Sequence, residues 1–194
     1  MIVLCVEFEH LVFSPLKLKK GGKEMHKVKV MFYIMRHGFC PIGFDWLTKE
    51  GKEEVRRSAK KNLKDIKFTG AYSSPEIRAQ ETMGIVLDAT KNGQLGIKHR
   101  KGLNPGDDPS TLREIKSTAR EVSRYAALDG KSECNIMVVT HSANVLACSI
   151  ACPTLQEVNN ADIVKLVVEV TDSSQEVVTT QYIPAPRLAS AAIS

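Results

Sequence analysis

Residues 28–38 read VKVMFYIMRHG, and this stretch decides the fold. Its first eight residues form an apolar run broken by a single lysine, which is typical of a parallel strand buried on both faces of a sheet. A second mostly apolar run, CNIMVVT at 134–140, has the same character. The first run ends at the tripeptide RHG, and the second ends just before His141. The sequence therefore predicts two central strands, each of which leads directly into a site with a histidine.

The rest of the chain alternates between helical and extended patterns. The predicted elements are a helix capped by Thr48, a short strand near 69–72, a helix opened by Ser74 as N-cap with Pro75 at its first position, a strand at 97–100, a helix from Ser110, a short helix at 143–151, and a hairpin of 163–170 with 177–183. Strands that alternate with helices predict an α/β fold with a mainly parallel sheet.

The length of 194 residues fits one domain with terminal extensions. We expect an N-terminal extension and linker at 1–27, a domain at 28–184 and a loose C-terminal tail at 185–194. Within the extension, residues 2–9 alternate partly as a strand would, whereas 14–27 are polar and basic. The start of the chain lacks the positively charged segment of a secretory signal, so we expect a cytoplasmic protein.

Composition argues against several classes of protein. Hydrophobic residues make up 43% and charged residues 25%, which favours a packed core. No apolar run reaches the ~18–20 residues of a membrane span, and no nucleic-acid motif accompanies the net charge of +5. The five cysteines are irregularly spaced without a CxxC pair, so we expect reduced, buried thiols. We therefore expect neither a membrane nor a nucleic acid as partner, and the pattern specifies no oligomeric state.

The candidate site consists of residues near the carboxyl ends of predicted strands, where parallel sheets bind ligands. They are Arg36, His37, Arg78 and His141. Two guanidiniums make a forked cradle for a tetrahedral oxyanion, and a neutral imidazole is a competent nucleophile toward phosphorus. Gly38 has no Cβ, which would let backbone N–H groups approach a phosphate. These residue types predict a phosphate site with a nucleophile; the alternative is structural histidines and an Arg78 paired with Glu76 or Glu81.

Four segments resemble the motifs of one family, in the family's order and with fitting spacing. They are YIMRHG at 33–38, LTKEG at 47–51, YSSPEIRAQET at 72–82 and VVTH at 138–141. They are similar to the RHG signature, the LTxxG helix start, the SSPxxRAxxT segment and the strand-end histidine of the histidine phosphatase superfamily, the phosphoglycerate mutase-like proteins. The resemblance implies a three-layer α/β/α sandwich. In its compactness the chain resembles the small phosphohistidine phosphatases most.

The resemblance also implies a role for each candidate residue. His37 would accept the phosphoryl group as a phosphohistidine, which water then hydrolyses. Arg36, Arg78 and His141 would bind and stabilise that group. No metal and no cofactor is expected. The implied function is a metal-independent phosphatase, and its implied partners are a phosphorylated protein, such as a phosphohistidine protein, or a small phosphorylated metabolite.

One feature of the larger family members is missing. Their general-acid Glu has no counterpart in LNPGDD at 103–108, where Asp107 or Asp108 would replace it or cap the following helix. The stretch resembles the LxPxGD segment of the small phosphohistidine phosphatases, whose substrate P–N bond breaks with less help from an acid. A catalytically weak member that binds a phosphorylated partner or metabolite is an alternative. A metal hydrolase that uses His37, His141 and an aspartate is another.

Overall fold

A computed structural model describes residues 27–106, 108–149 and 155–187. The strand predicted at 2–9, nearly all of the extension predicted at 1–27 and most of the tail predicted at 185–194 lie outside these residues. The proposed domain boundaries therefore stay predictions. Among the helices that the structure describes, none has the length and hydropathy needed to cross a bilayer.

Strands and helices alternate along the described residues. In chain order they are β1 (Val28–Arg36), α1 (Lys49–Asn62), β2 (Gly70–Ser73), α2 (Ile77–Ala89), β3 (Ile97–His99), α3 (Asp108–Leu128), β4 (Glu133–Thr140), α4 (Ser142–Ala147), β5 (Ile163–Val170) and β6 (Gln175–Ile183). The strand order in the sheet is β3-β2-β4-β1-β5-β6. Neighbours from β3 to β1 run parallel, whereas β5 pairs antiparallel with β1 and β6 pairs antiparallel with β5. The predicted α/β fold with a mainly parallel sheet is confirmed.

The helices cover both faces of the sheet, because side chains of a central strand alternate between the two faces. On β1, Val30, Phe32 and Ile34 point into a core that α3 and α4 complete. Tyr33 and Met35 point into a second core, which contains residues of α1 and α2. Burying each large apolar side chain contributes about 1.5–3 kcal/mol, so β1 is stabilised from both sides. The expected three-layer α/β/α sandwich is therefore confirmed.

The helix starts agree with the prediction at α1 and differ from it at α2. Thr48 caps α1 and accepts a hydrogen bond from the N–H of Gly51 at 3.0 Å. Helix α2 begins at Ile77, so Ser74 is not its N-cap. Glu76 stands at the cap position and makes no capping hydrogen bond with its side chain. The hydroxyl of Ser74 accepts the N–H of Glu76 at 3.3 Å and also contacts neighbours in the candidate site, described below.

Hydrogen bonds just beyond the strand ends bring three segments together at one edge of the sheet. The N–H of His37, after β1, donates to the carbonyl of Thr140 at 3.0 Å. The N–H of Ser74, after β2, donates to the carbonyl of Val139 at 3.0 Å. His141 follows Thr140 directly. The residues that follow β1, β2 and β4 therefore lie side by side at the carboxyl edge, where ligands bind in parallel sheets.

Candidate active site

His37 is buried, with 8% of the residue exposed. Its Nδ1 lies 2.8 Å from the carbonyl oxygen of Gly38. Because a carbonyl oxygen can only accept, Nδ1 carries the proton and donates it, and Nε2 keeps its lone pair. Nε2 is therefore the nitrogen that can act as a nucleophile.

The surroundings of His37 keep its imidazole neutral. Burial lowers the pKa of His37 most, and the positive charges of Arg78 and Arg36 lower it further. The Gly38 carbonyl and the Asp45 carboxylate act in the opposite direction, and the resulting pKa is about 4 instead of 6.5. At neutral pH the ring is therefore uncharged and its Nε2 lone pair is available.

Gly38 allows the end of β1 to approach helix α1 closely. A Cβ at this position would lie 2.6 Å from Cγ2 of Val55 and 2.8 Å from the carbonyl oxygen of Gly51. The N–H of Gly38 donates to Oγ1 of Thr82 at 3.1 Å, and that hydroxyl donates to the carbonyl of Arg78 at 2.7 Å. The structure thus gives a packing reason for the glycine. The N–H of Gly38 is bonded to Thr82 on α2. From the sequence, backbone N–H groups at this position were expected to face a phosphate.

The second histidine, His141, packs against His37 and is also buried. Its Nε2 lies 3.0 Å from Oγ of Ser74, and Ser74 donates its own proton to Oδ1 of Asn104 at 3.1 Å. Ser74 therefore accepts the proton that His141 carries on Nε2. Burial, then the neighbouring His37 and Arg78, lower the pKa of His141 to about 3. This ring is neutral as well, and it presents an N–H donor.

Arg36 is held by the segment that precedes β5. Its Nη1 donates to the carbonyl of Val158 at 2.6 Å. Its backbone N–H donates to the carbonyl of Asp162, and its own carbonyl accepts from the N–H of Ala161, both at 3.1 Å. The Nε of Arg36 is buried and has no hydrogen-bond partner among the described residues. One arm of the guanidinium is thus anchored, and a donor is left for an anion.

Arg78 lies in the first turn of α2, with 18% of its side chain exposed. Its Nη1 contacts the carboxylate of Asp45 and lies 3.4 Å from Oε2 of Glu76. The pairing with Glu76 that the sequence suggested as an alternative is therefore present but secondary. Glu81 turns elsewhere and accepts the N–H of Leu47 at 2.7 Å.

The structure brings the four predicted site residues together. The rings of His37 and His141 are in contact, and the positive charges of Arg36 and Arg78 lower the pKa of both. Asp107 lies outside the described residues, and Asp108 is described only as the first residue of α3. Within the described part of the chain, no group of three histidine, cysteine, aspartate or glutamate side chains is arranged to hold a metal ion.

Asp45 and Asn104 also belong to the site, although the sequence analysis did not predict them. Oδ2 of Asp45 accepts the N–H of Ile77 at 3.0 Å, so this loop residue caps α2. Burial would raise the pKa of Asp45, but the Ile77 N–H and the Arg78 guanidinium hold it below its ordinary value. Both residues lie in irregular segments, which lack the periodic pattern from which a position in the fold can be predicted.

Comparison with known families relates part of the chain to one superfamily. A model of the histidine phosphatase superfamily (branch 1) matches residues 42–107 of the chain. The predicted resemblance to this superfamily is confirmed. Among curated proteins, none matches the sequence.

Solved structures share the histidine phosphatase fold with this chain. Phosphoglycerate mutase from Bacillus anthracis str. Sterne is 22% identical, with a TM-score of 0.55 over 78% of this chain and 92% of that one. The protein histidine phosphatase SixA complexed with tungstate is 18% identical, with a TM-score of 0.56 over 78% and 96%. A mycobacterial glucosyl-3-phosphoglycerate phosphatase is 16% identical, with a TM-score of 0.54 over 74% and 97%. At these identities the shared property is the fold.

Proposed function

We propose that the protein is a metal-independent phosphatase in which His37 takes the phosphoryl group from a substrate and passes it to water. The observation that supports this most strongly is the state of His37. Its ring is neutral, its Nε2 lone pair is free, and two guanidiniums lie beside it. A neutral nucleophile in a positively charged site can attack a phosphoryl group whose oxygens are held and neutralised.

In the first step, Nε2 of His37 forms a bond to phosphorus while the bond from phosphorus to the leaving group breaks. The electron pair of that bond stays with the leaving group. Nε of Arg36 and the guanidinium of Arg78 bind phosphoryl oxygens. The Nε2 proton of His141 is shared between Ser74, which keeps the ring in place, and a third oxygen. These donors stabilise the charge of the transition state. Such electrostatic stabilisation, together with positioning, is the main source of catalysis in phosphoryl transfer.

In the second step, water attacks the phosphorus of the phosphohistidine. The bond between Nε2 and phosphorus breaks, its electron pair returns to the ring, and phosphate leaves with the oxygen of water. The carbonyl of Gly38 keeps the proton on Nδ1 throughout. The phosphorylated ring is therefore a cation, and a neutral imidazole is released from it, which favours the hydrolysis.

The two substrate classes differ in how much help their leaving groups need from an acid: a P–N bond needs little, and the P–O bond of a monoester needs more. A phosphohistidine protein is the first class, because its P–N bond joins phosphorus to an imidazole. A small phosphomonoester is the other class, for which Asp107 or Asp108 is the candidate proton donor. Similar structures bear names of both kinds, a protein histidine phosphatase and a glucosyl-3-phosphoglycerate phosphatase.

The described cysteines fit a reducing compartment. Cys40 and Cys134 are free thiols, and Cys134 is buried. Unpaired buried cysteines are typical of proteins kept where thiols stay reduced. We therefore propose a cytoplasmic location.

A second candidate is a catalytically weak member of the superfamily that binds a phosphorylated partner or metabolite. The contact between Asp45 and Arg78 favours it, because a carboxylate already engages one arginine of the cradle. The intact lone pair on Nε2 of His37 argues for turnover. The two candidates differ in one observable, the release of phosphate.

Phosphate release from a phosphohistidine peptide and from para-nitrophenyl phosphate tests the proposal. Each assay is run with and without a chelator. We expect release by the wild type, none by His37→Ala, and wild-type rates for His99→Ala, a control at an exposed position on β3. No release by the wild type, together with protection of its fold against heat by phosphate, would favour the binding protein. Loss of release on chelation would contradict metal independence.

A further inference from the structure

Asp45 occupies donors that a phosphoryl group would otherwise use. Its Oδ1 contacts Nη1 of Arg78, and its Oδ2 accepts the N–H of Ile77, the first residue of α2. A guanidinium and the first N–H groups of a helix are the donors that bind phosphate oxygens in proteins. A carboxylate of the chain itself therefore lies where an anionic ligand of this cradle would make contact.

The loop that carries Asp45 is closed at its base. The N–H of Thr48 donates to the carbonyl of Phe39 at 3.1 Å, so the two ends of the loop meet. The N–H of Leu47 donates to Oε2 of Glu81 at 2.7 Å, which fastens the loop to α2. These bonds fix the direction from which Asp45 approaches the cradle. The contact with Arg78 is thus built into the fold of the loop and of α2.

Asp45 also supplies the counter-charge that Arg78 needs when no ligand is bound. The Arg78 side chain is largely buried, and a buried guanidinium without an anion carries a large desolvation cost. Glu76, the other carboxylate near it, lies at 3.4 Å. Asp45 is in direct contact and is therefore the main counter-ion of Arg78 in the free protein.

We propose, on the basis of the proposed function, that Asp45 is an internal competitor for the phosphoryl group. Its carboxylate holds Arg78 in the free enzyme, and an incoming phosphoryl group displaces it from the guanidinium. Because two anions on one guanidinium repel each other, binding of phosphate loses part of the attraction of Arg78. Asp45 thereby limits the affinity of the cradle and promotes the departure of product phosphate.

The variant Asp45→Asn tests this inference with inorganic phosphate as the probe. Asparagine keeps an oxygen for the N–H of Ile77 but removes the negative charge. We expect the dissociation constant of phosphate, measured by calorimetry, to fall about tenfold, which corresponds to about 1.4 kcal/mol. The inhibition constant of phosphate during turnover falls with it. The matched control Glu76→Gln removes a charge that is farther from Arg78, and we expect less than about a twofold change.

Unchanged or weaker phosphate binding by Asp45→Asn would overturn the inference, because Asp45 would then only support Arg78. Asp45→Ser, which also keeps a capping oxygen, repeats the measurement should the asparagine variant fold poorly. Tighter binding in these variants without any turnover by the wild type would support the role of Asp45 and overturn the proposed hydrolysis. Failure of the wild type and both variants to bind phosphate at millimolar concentration would overturn both.

Discussion

The imidazole rings of His37 and His141 meet edge to face, with centroids 5.1 Å apart and planes inclined by 66°. Burial and the mutual repulsion of two protonated rings both oppose a charge on this pair. Different partners set the two tautomers: Gly38 accepts from Nδ1 of the first ring, and Ser74 accepts from Nε2 of the second. One ring thus offers a lone pair and the other a proton donor, which is the division of roles that phosphoryl transfer needs.

The two histidines make the stability of the protein dependent on pH. The pKa of His37 is about 4 and that of His141 about 3, both below the ordinary 6.5. Between the lowered pKa values and the ordinary one, the unfolded chain binds protons that the folded chain does not. The free energy of unfolding therefore decreases as the pH falls through this range. We expect His37 alone to lower the free energy of unfolding by up to about 3 kcal/mol between about pH 6.5 and pH 4.

Urea denaturation of the wild type and of His37→Asn across this pH range measures the effect. The variant should lose part of the slope of stability against pH, because asparagine does not titrate. An equally steep slope in the variant would show that His37 is not held in its neutral form.

Gly38→Ala should destabilise the protein and abolish activity together. Its Cβ would meet Val55 and the backbone of Gly51 at 2.6 and 2.8 Å, and overpacking of this kind costs about 1–3 kcal/mol. The shift of the chain also displaces His37. Gly84→Ala on α2 is the matched control, since a Cβ there meets nothing within 4 Å. We expect it to raise stability by about 0.5–1 kcal/mol and to leave activity intact.

Thermal unfolding and phosphate release of both alanine variants check this prediction. Wild-type activity of Gly38→Ala would contradict the account, because it would mean that the end of β1 can move away from α1 without moving the nucleophile.

The hydroxyl of Thr82 on α2 accepts a hydrogen bond from the N–H of Gly38, the residue after the nucleophile. Substitutions of Thr82 can remove this hydrogen bond and still keep the packing of the side chain. Thr82→Val keeps the shape but leaves the N–H of Gly38 buried without an acceptor, which costs about 1–3 kcal/mol. Thr82→Ser keeps the hydroxyl and should lose less stability. Chemical denaturation ranks the variants, and we expect wild type above serine and serine above valine. Equal stability of valine and wild type would show that this hydrogen bond is dispensable.

Ser74→Ala should slow turnover more than it weakens binding. The hydroxyl of Ser74 holds His141 at 3.0 Å, so its loss leaves the ring free to turn away from the phosphoryl oxygens. We expect kcat to fall by about tenfold to a hundredfold, which is less than the about hundredfold to thousandfold loss on complete removal of a transition-state donor, with KM little changed. Ser73→Ala is the neighbouring control, because the Ser73 hydroxyl donates to the Ser74 carbonyl and not to His141. A rise in KM alone would contradict the role given to His141.

The order of elements could be predicted from the sequence because it depends on strong, local patterns. Most residues of β1 and β4 are apolar and buried, so the strands can be recognised from a continuous apolar run. The position of His37 and His141 then follows, since parallel strands end at one edge. The predicted convergence of these residues with Arg36 and Arg78 depends on this rule alone.

The details that escaped prediction depend on contacts between distant segments. Ser74 followed by Pro75 has the pattern of a helix start, but its hydroxyl is used by His141 and Asn104, and the helix begins later. Asp45 caps α2 across the site from a loop, and no local pattern marks such a partner. Irregular loops carry little positional information, because their conformation is set by what they touch.

Trapping of the phosphoryl-enzyme tests the central claim most directly. The protein is mixed briefly with a phosphohistidine peptide labelled with radioactive phosphate, quenched in base, in which phosphohistidine is stable, and digested for mapping of the label. After removal of the substrate peptide, the account predicts label on one peptide of the protein, the one containing His37, with label that acid releases and that His37→Ala lacks. Label on another residue, or rapid phosphate release without any labelled protein in the wild type, would contradict it.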